Sequence, residues 1–393
     1  MSTVKYHIST YLHKIIEDIR AELTAIFHDS GAMLLIVIAL PLYTIIYSTA
    51  YGSEVVRNIS IAVVDDDKTP SSREFINGIM DGPGTTIRYQ PQNIAEAEQL
   101  FYQDEVYGIV YIPNGFERDL LSGIQADIGI ILDGSHLLLY RQVLEQVASD
   151  ALTKGATAEL MRLVERGESR QSALATIEPI ILNTHYLYNK SLGYGSFVMP
   201  SVVMVIIQQT LVIGLAMIAA RRRAKGLGVE PLTSHCIIAK LLVYILIYLI
   251  NLTIILSTIW QIFGFPFSGD ILHIAAFATL YISTVVALGL VAAQLFRRRE
   301  APLMLLLCTS VPILLLAGVS YPREAFASWL YDLGRLLPSS SGVNGFIAIA
   351  SRGATLSDVA SEITTLATLL CGYLFIAIII NRYSREKCNK LAK

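Results

Sequence analysis

Apolar residues are distributed unevenly along this sequence. One long apolar segment lies near the start, the mixed stretch 52–195 follows, and most of the second half is apolar again. A helix needs about 20 mainly apolar residues to cross the hydrocarbon core of a membrane. Six stretches meet this requirement, at residues 31–51, 196–220, 237–260, 271–296, 301–320 and 363–381. The pattern therefore predicts an α-helical membrane protein with six transmembrane helices in a one-plus-five arrangement. The first segment is too long for a signal-peptide core and lacks a cleavage site, so we interpret it as a retained helix.

The mixed stretch 52–195 alternates strand and helix signals. Short apolar or β-branched runs predict strands near 59–64, 86–89, 107–112 and 126–132, with helical patterns between them at 71–80, 93–103 and 113–122. A longer helical pattern begins at His136. We therefore predict an α/β domain with a helical stalk, inserted after the first span.

Residues 1–30 have the spacing of an amphipathic helix. The apolar positions recur at steps of three and four, and they are Ile8, Leu12, Ile15, Ile16, Ile19, Leu23, Ile26 and Phe27. Lys14, Glu17, Asp18 and Glu22 occupy the other face. Such a helix either lies along the cytoplasmic membrane surface or packs against a soluble partner, and the two are compatible.

Basic residues predict the orientation, because cytoplasmic loops are enriched in Lys and Arg. They cluster after the second span, after the fourth span (Arg297, Arg298 and Arg299) and in the tail 382–393. With six spans all three clusters lie on one side. Both termini are then cytoplasmic and the 52–195 domain is extracytoplasmic. The mean hydropathy of +0.54 agrees with a membrane protein, whereas the net charge of -2 adds nothing to this assignment.

Residue types of catalytic and metal sites occur without the spacing that those sites need. Asp65 and Asp67 lack the glycine and distal glutamate of an EF-hand, so we interpret them as turn residues at a strand end. Asp133, Ser135 and His136 lack a G-x-S-x-G elbow, and we expect Asp133 and Ser135 to cap the helix that begins near His136. The four cysteines lack metal or redox spacing. We therefore predict no catalytic residue, no metal and no bound cofactor.

The sequence lacks the residues that two common mechanisms of energising transport, ATP hydrolysis and ion coupling, normally use. The sequence has no Walker A motif, so any ATP must be used by a partner subunit. The polar residues that we identify within the spans are Gln208, Gln209, Asn251, Ser257, Ser283 and Gln294. Ion-coupled transporters normally keep ionisable groups within their bundle, so this set disfavours ion coupling. Gln208 and Gln209 either bond across helices or line a translocation path.

Motifs along the whole chain resemble the ABC-2 type permeases. In the last third, an apolar span ends in Ala317-Gly318, and the sequence Tyr321-Pro322-Arg323-Glu324, then Trp329 and then Pro338 follow. The runs 61–67, 112–120 and 133–135 resemble the external domain of bacterial exporters that carry one large domain between their first two spans. The resemblance implies the ABC-2 (type V exporter-like) permease fold, with two permease subunits and two cytoplasmic ABC ATPase subunits.

The resemblance also implies where the ATPase subunits dock. The candidates are the amphipathic arm 1–30 and a cytoplasmic coupling loop at 221–236, with coupling residues Arg221, Arg222, Arg223, Lys225, Gly226 and Glu230. The same basic residues also serve as ordinary positive-inside anchors. Gly226 fits the family pattern, but the acidic and Thr positions around it do not. This departure suggests one half of a sister-permease heterodimer, with a homodimer as the alternative.

Residues 321–350 are too polar and too interrupted by proline to form a span, yet they contain many large apolar side chains. Short re-entrant helices at the outer face satisfy both facts, provided that protein covers their backbone. In the family such helices close the outer end of the path between two protomers. The candidate outer gate is Tyr321, Pro322, Glu324, Trp329 and Pro338.

The leading hypothesis is the permease subunit of an ATP-driven exporter in the bacterial cytoplasmic (inner) membrane. It would move hydrophobic or amphipathic, drug- or lipid-like molecules outward and would not itself be an enzyme. The expected partners are ABC ATPase subunits, a second permease, membrane lipid and, in a Gram-negative cell, a periplasmic adaptor; nucleic acid is not expected. The alternatives are an ion-coupled secondary transporter and a membrane-anchored sensor or enzyme that acts through the external domain.

Overall fold

The computed structural model describes residues 2–296, 298 and 300–391. Arg297, Arg299 and Lys393, which contribute to the predicted basic clusters, lie outside the described residues, as do Met1 and Ala392. The chain forms two compact units. A helical unit comprises Met1–Glu54 and Tyr186–Lys393, and an α/β unit comprises Val55–His185.

The secondary structure elements follow one another in a simple order. They are α1 Ser2–Phe27, α2 Ser30–Tyr51, β1 Ile59–Asp65, α3 Pro70–Asp81, β2 Thr85–Tyr89, α4 Ile94–Tyr102, β3 Gly108–Ile112, α5 Phe116–Ser122, β4 Gly129–Leu132, α6 Leu137–Glu165, α7 Arg170–Ile177, α8 Tyr194–Ala224, α9 Ser234–Ile262, α10 Ile271–Leu295, α11 Ala301–Leu316, α12 Ser328–Arg335, α13 Pro338–Ala350 and α14 Ala360–Leu391. A short 3-10 helix at Arg323–Ala325 precedes α12.

Among the described residues, five helices are long and apolar enough to cross a membrane: α2, α8, α9, α10 and the Ala360–Glu386 part of α14. The predicted count of six is not confirmed, because the stretch 301–320 forms only the 16-residue helix α11. At 1.5 Å per residue this helix is about 24 Å long, shorter than a hydrocarbon core of about 30 Å. It ends where Gly318 adopts a left-handed conformation with a φ of 82°.

Helix α8 is the central helix of this unit. In its most apolar stretch 78% of the residues are buried, against 11% in the corresponding stretch of α14. Gly214 of α8 provides the space for this packing, since a Cβ atom there would lie 2.5 Å from Cγ1 of Ile36. Ile36 lies in a π-helical turn of α2, Leu34–Ile38, just before Pro41. Proline has no N–H to continue the α-helical bonding pattern, which favours such a local widening.

Hydrogen bonds show which helix ends lie together. Arg221 at the end of α8 pairs with Asp29, the residue that caps the start of α2. Arg223 donates to the carbonyl of Phe296, just after α10. Asn381 of α14 binds the loop that precedes α9. We call this side of the helical unit the basic end.

The other ends of the same helices also meet. The carboxylate of Glu54, just after α2, accepts hydrogen bonds from the backbone N–H and the hydroxyl of Ser196 near the start of α8. The N–H of Ser268, before α10, donates to the carbonyl of Ala350 at the end of α13. We call this side the opposite end. Helices α2, α8 and α10 therefore each run from one end of the unit to the other.

The amphipathic helix α1 packs on the protein through a mixed face. Glu22 is 5% exposed, Ile26 is fully buried and Leu23 packs against the core, whereas Leu12 and Phe27 are about half exposed. Its main neighbour is α9. The exposed apolar side chains fit a helix that lies along a membrane surface.

The α/β unit has a four-stranded sheet in the order β2-β1-β3-β4. Strand β1 is parallel to both β2 and β3, and β4 is antiparallel to β3. Alternate residues of the central strand β1 point to opposite faces. Ile61 and Val63 pack with α3 and α6 on one face, while Ala62 and Val64 pack with α4 on the other. Helices therefore cover both faces of the parallel part of the sheet.

Candidate functional site

Polar residues of α1 form a single stripe that faces α9. Tyr11, Asp18 and Glu22 are separated by seven and four residues, a spacing that places them on one face of a helix. The hydroxyl of Tyr11 donates to Ser234 Oγ at 3.0 Å, and a carboxylate oxygen of Asp18 lies 2.5 Å from His235 Nδ1. The stripe therefore fixes α1 along the first turns of α9.

The deepest contact of this stripe is an ion cluster centred on Lys240. The ammonium group is 4% exposed, pairs with Glu22, and lies 3.3 Å from Oε2 of Glu230. Tyr244, one turn further along α9, donates its hydroxyl to Glu22 Oε1 at 2.6 Å. Burying an ion costs several kcal/mol unless opposite charges and hydrogen bonds compensate it. Two carboxylates provide that compensation, and they come from α1 and from the 225–233 loop.

Glu230 extends the cluster through the loop to two more helices. Its other carboxylate oxygen lies 3.4 Å from Nη1 of Arg222, in the last turn of α8. Its backbone carbonyl accepts a hydrogen bond of 2.8 Å from the side chain of Asn381 in α14. The side-chain oxygen of Asn381 in turn accepts a hydrogen bond from the N–H of Leu232. We call Glu22, Arg222, Glu230, Lys240 and Tyr244 the Lys240 cluster.

The three predicted coupling arginines contact three different parts of the basic end. Arg221 pairs with Asp29 at 2.9 Å and also donates to the carbonyl of His28. Arg222 binds Glu230, and Arg223 binds Gln294 and the carbonyl after α10. They lie within α8 and not in the predicted loop, because the helix continues to Ala224. Arginine is a good helix former, and its charge is favoured at a helix C-terminus.

Lys225 and Gly226 end this helix. The N–H of Gly226 donates to the carbonyl of Arg223, and Gly226 has a φ of 76°. A left-handed glycine directly after the last helical turns is a common helix stop. The sequence motif at Gly226 therefore has a structural role, and the extended stretch after it brings Glu230 to Lys240.

A cavity of about 420 Å³ opens beside the Lys240 cluster. Its lining combines α1, the end of α8, the 225–233 loop and the end of α10, and includes Glu22, Arg222, Lys225, Glu230 and Lys240. The charged atoms of the cluster therefore border open space on one side. Among the described residues, no group of three or more His, Cys, Asp or Glu side chains is arranged to hold a metal ion.

The predicted path residues Gln208 and Gln209 have different surroundings. Gln208 is 1% exposed, and its Oε1 accepts a 2.7 Å hydrogen bond from the N–H of Ser339 in the first turn of α13. It therefore caps a neighbouring helix. Nε2 of Gln209 is buried and has no hydrogen-bond partner in the described part of the chain.

The predicted gate residues surround the short helices α12 and α13. Tyr321 stacks on Phe326, with ring centroids 6.1 Å apart, and is 55% exposed. Pro322 and Glu324 are also exposed, and Trp329 on α12 is 69% exposed. Pro338 is buried at the first position of α13. The structure brings these residues into one region, but most of them point away from the protein.

Residues 32–380 match the sequence model of a family described as ABC-2 family transporter protein. This chain belongs to the ABC-2 transporter family. The permease is 24% identical over 332 residues to the probable multidrug ABC transporter permease YbhR of Escherichia coli K12, which covers 83% of this chain and 86% of that protein. It is 23% identical over 376 residues to the inner membrane transport permease YhhJ of the same organism, and the match covers 91% of this chain and 94% of that protein. Over 359 residues it is 20% identical to ABC transporter G family member 23 of Dictyostelium discoideum, covering 89% of this chain and 48% of that protein.

These comparisons confirm the predicted family and, with it, a membrane transport role. The named Escherichia coli relatives are permease components, which are transport subunits and not enzymes.

Sequence analysis missed two buried cations of the permease. Lys240 lies inside the predicted third span, and its omission made the spans look free of ionisable groups. The signal was a lone Lys in a long apolar run, which marks a functional candidate. Arg323 is 7% exposed, although its neighbours in the predicted gate are exposed. Its burial depends on the way the segment 318–340 folds back on itself, which hydropathy does not show.

In the α/β unit the permease brings together Asp133, Ser135 and His136. Both Asp133 and Ser135 approach the same imidazole nitrogen, Nδ1. In a catalytic triad the serine and the carboxylate bind different nitrogens of the histidine. Asp133 instead accepts hydrogen bonds from the N–H and hydroxyl of Ser135, which with the neighbouring His136 lower the pKa of Asp133 to about 2. The turn before α6 is therefore structural. The prediction that Asp133 and Ser135 cap this helix was wrong, because His136 is the N-cap residue and makes no side-chain cap hydrogen bond.

The acidic turn after β1 is also fully hydrogen-bonded. Asp65 accepts hydrogen bonds from the N–H groups of Asp67 and Lys68. Asp67 accepts from the N–H groups of Gly115 and Glu117, and hydrogen bonds from Thr69 and these backbone groups lower the pKa of Asp67 despite its partial desolvation. These bonds use the carboxylates for turn formation, as the sequence indicates.

Proposed function

We propose that this permease is the transport subunit of an ATP-driven exporter, and that separate ABC ATPase subunits bind at its basic end. The observation that carries the proposal is the Lys240 cluster, which joins α1, the 225–233 loop and the span α9. ABC permeases work with ATPase partners, and no Walker A motif occurs in the sequence. An ATPase subunit that contacts α1 and the loop would act on a span through buried ion pairs.

The cluster is suited to transmit a displacement, because breaking it is unfavourable. Removing one partner of a buried ion pair typically costs about 3–5 kcal/mol. Movement of Glu230 with the loop is therefore expected to move Lys240 and α9 instead of separating the two charges. The adjacent cavity leaves space for such a movement without repacking the apolar core. In this proposal Arg221, Arg222, Arg223, Lys225 and Gly226 hold the loop in position.

We further propose that the basic end is cytoplasmic, that both termini lie there, and that the α/β unit is extracytoplasmic. Three basic segments, at 221–225, 298 and 382–385, support this orientation. The sixth crossing is made by α11 together with the segment that follows it. The chain leaves the basic end after Phe296 and is at the opposite end by Ala350. Residues between these two positions must therefore traverse the helical unit.

The substrates we propose are hydrophobic or amphipathic molecules, moved outward across a bacterial cytoplasmic membrane. Two relatives are named as probable multidrug permeases, which supports this class. The translocation path would lie between this permease and a second permease, with α12 and α13 as the outer gate. A periplasmic adaptor is a further candidate partner for the α/β unit.

The test is affinity purification of the full-length tagged permease from its native membrane, with Lys240→Met as the variant. We expect wild-type permease to retain an ABC ATPase subunit whose ATP hydrolysis rises when amphipathic drugs are added. In Lys240→Met the ATPase subunit should stay bound, because Lys240 is buried and does not itself face the partner, but drug-stimulated hydrolysis should fall at least tenfold. Lys190→Met, at an exposed lysine, is the matched control and should behave as wild type.

Two results would contradict the proposal. One is purification of an intact, drug-binding permease with no ATPase subunit, accompanied by export that responds to a proton gradient and not to ATP. The other is unchanged drug stimulation in Lys240→Met, which would remove the Lys240 cluster from the coupling route. Glu22→Gln provides a second, milder change, since it keeps the shape of the side chain and removes one charge.

A further inference from the structure

Arg323 is a buried cation with no carboxylate partner among the described residues. Its side chain is 7% exposed, and none of the ion pairs in the described part of the chain includes it. The acidic residues closest in sequence, Glu324 and Asp332, are exposed. Lys240, the other buried cation discussed above, has two carboxylates. Arg323 therefore differs in having no compensating charge.

The fold holds the Arg323 side chain in a defined place. Gly318 makes room for it, since a Cβ atom there would lie 2.6 Å from Cγ of Arg323. The guanidinium carbon lies 5.0 Å from the ring centroid of Tyr331, a cation–π distance. Nη1 donates to the backbone carbonyl of Ser340 at 3.3 Å. A helix end, a ring and a glycine thus position one positive charge beside the first turn of α13.

Two buried polar atoms of this region are unsatisfied. Nε of Arg323 and Oγ of Ser339 are buried without a hydrogen-bond partner in the described part of the chain. Ser339 is fully buried in the first turn of the 13-residue helix α13, where the helix dipole favours negative charge. Guanidinium and hydroxyl groups both donate to anionic oxygens. Unsatisfied buried groups of this kind are rare in folded proteins and need an explanation.

Exposed apolar side chains lie on the segment that carries Arg323 and on α11. Tyr321 and Trp329 are more than half exposed, as is Leu336, which lies between α12 and α13. Val311 of α11 is 64% exposed. A ligand whose charged group binds Arg323 could therefore place an apolar chain along these side chains. A fully hydrated anion would gain nothing from them.

We propose that Arg323 and the hydroxyl of Ser339 bind the anionic group, carboxylate or phosphate, of an amphipathic ligand. The inference deepens the proposed function, on which it rests for the interpretation of the ligand as transported substrate. It assigns the exported molecules a negative headgroup and an apolar chain. Arg323 is then a specificity-determining residue at the outer gate.

The test measures binding of decyl phosphate to the full-length permease in nanodiscs of zwitterionic lipid, by calorimetric titration. Arg323→Gln should weaken binding at least tenfold, because it removes charge-assisted hydrogen bonds. Arg323→Lys keeps the charge and should lose less. Arg335→Gln, at an exposed arginine of the neighbouring helix α12, is the matched control and should bind as wild type. Size-exclusion profiles establish that each variant is folded.

Two further probes separate the headgroup from the chain. Decanol should show no difference between wild type and Arg323→Gln, because it lacks the charge, and inorganic phosphate should bind at least tenfold more weakly than decyl phosphate. Equal affinity of wild type and Arg323→Gln for decyl phosphate would overturn the inference. So would a tenfold gain of affinity in Glu324→Gln or Asp332→Asn, since it would show that a carboxylate from a second copy already occupies the site.

These titrations need no ATPase subunit. If no ATPase subunit associates but Arg323-dependent binding is found, the proposed function fails and the anion site remains. If an ATPase subunit associates but binding does not depend on Arg323, only the present inference fails.

Discussion

Gly345 shows how closely α13 lies against α10. A Cβ atom at this position would lie 2.2 Å from Cζ of Phe277, and one at Gly342 would lie 2.3 Å from Cε2 of Tyr281. Both aromatic rings are almost fully buried. At these two positions hydrogen is the only side chain that fits without movement, so the two glycines set the distance between the helices.

Gly345→Ala should therefore destabilise the permease. Overpacking of a well-packed core typically costs about 1–3 kcal/mol, and the ring of Phe277 has little space to move. The unfolding temperature of detergent-solubilised protein measures the effect. Gly372→Ala in α14 is the control, because nothing lies within 4 Å of its added Cβ. It should leave stability unchanged or raise it by up to ~1 kcal/mol; equal losses in both variants would contradict the packing argument.

The sequence shows where polar residues interrupt an apolar helix, but it does not show which residues they contact. Gln208 was expected either to bond across helices or to line a path, and the structure shows the first, with a helix end as the partner. The role of Lys240 depends on Glu22, which is 218 residues away in sequence. Long-range pairings of this kind follow from the tertiary fold, and a single sequence contains no direct signal for them.

At the scale of elements, the sequence predicts the start of a helix well when the capping residue lies within a few positions of the N–H group that it binds. Asn93 was expected to cap α4, and its side chain accepts a 2.8 Å hydrogen bond from the N–H of Glu96. The end of α8 was placed too early, because the apolar run stops at Ala220 whereas the helix continues to Ala224. Hydropathy reports the solvent around a helix and not its hydrogen bonds. Basic residues therefore extend a helix beyond the apolar segment.

The start of α6 allows a pH test at this scale. The pKa of Asp133 is lowered from 3.8 to about 2 in the folded protein, chiefly by hydrogen bonds from Ser135. A carboxyl group with a lowered pKa stabilises the folded state above its unfolded pKa, and this contribution is lost as the pH falls through the folded value. The first turn of α6 should therefore lose protection between about pH 4 and pH 2.

Hydrogen exchange of the peptides that cover the start of α6 measures this loss, after correction for intrinsic exchange rates. Asp133→Asn should lower protection at pH 6 and remove most of the difference between pH 4 and pH 2. Asp127→Asn, at an exposed position before β4, should retain the wild-type profile. The same pH dependence in Asp133→Asn as in wild type would show that other groups control this turn.

At the scale of the whole molecule, the path of the chain constrains the number of crossings. Helix α2 starts at the basic end, and α8 returns there. Helices α9 and α10 go out and back, so the chain is at the basic end after Phe296. Asn381, near the end of α14, lies at the same end. The even number of crossings proposed above fits this arrangement, although only five helices of the described residues have the length of a full span.

The missing crossing can be located by cysteine labelling in intact cells. We expect a membrane-impermeant maleimide to label Trp329→Cys directly and to label Glu300→Cys only after the membrane is permeabilised. These two residues flank α11, and both are described as exposed. Cys236, Cys308, Cys371 and Cys388 are first replaced so that each variant carries one thiol. Lys225→Cys is the reference for the basic end and should behave as Glu300→Cys does.

If positions 300 and 329 are labelled from the same side, then α11 does not cross, and the orientation of α14 and of the C-terminus must be reversed. If 225 and 300 are labelled from opposite sides, the basic end is not a single membrane face. The expected pattern, protection at 225 and 300 with accessibility at 329, requires that the chain crosses between residues 300 and 329, where the 16-residue helix α11 provides most of the length and the segment 317–327 the rest.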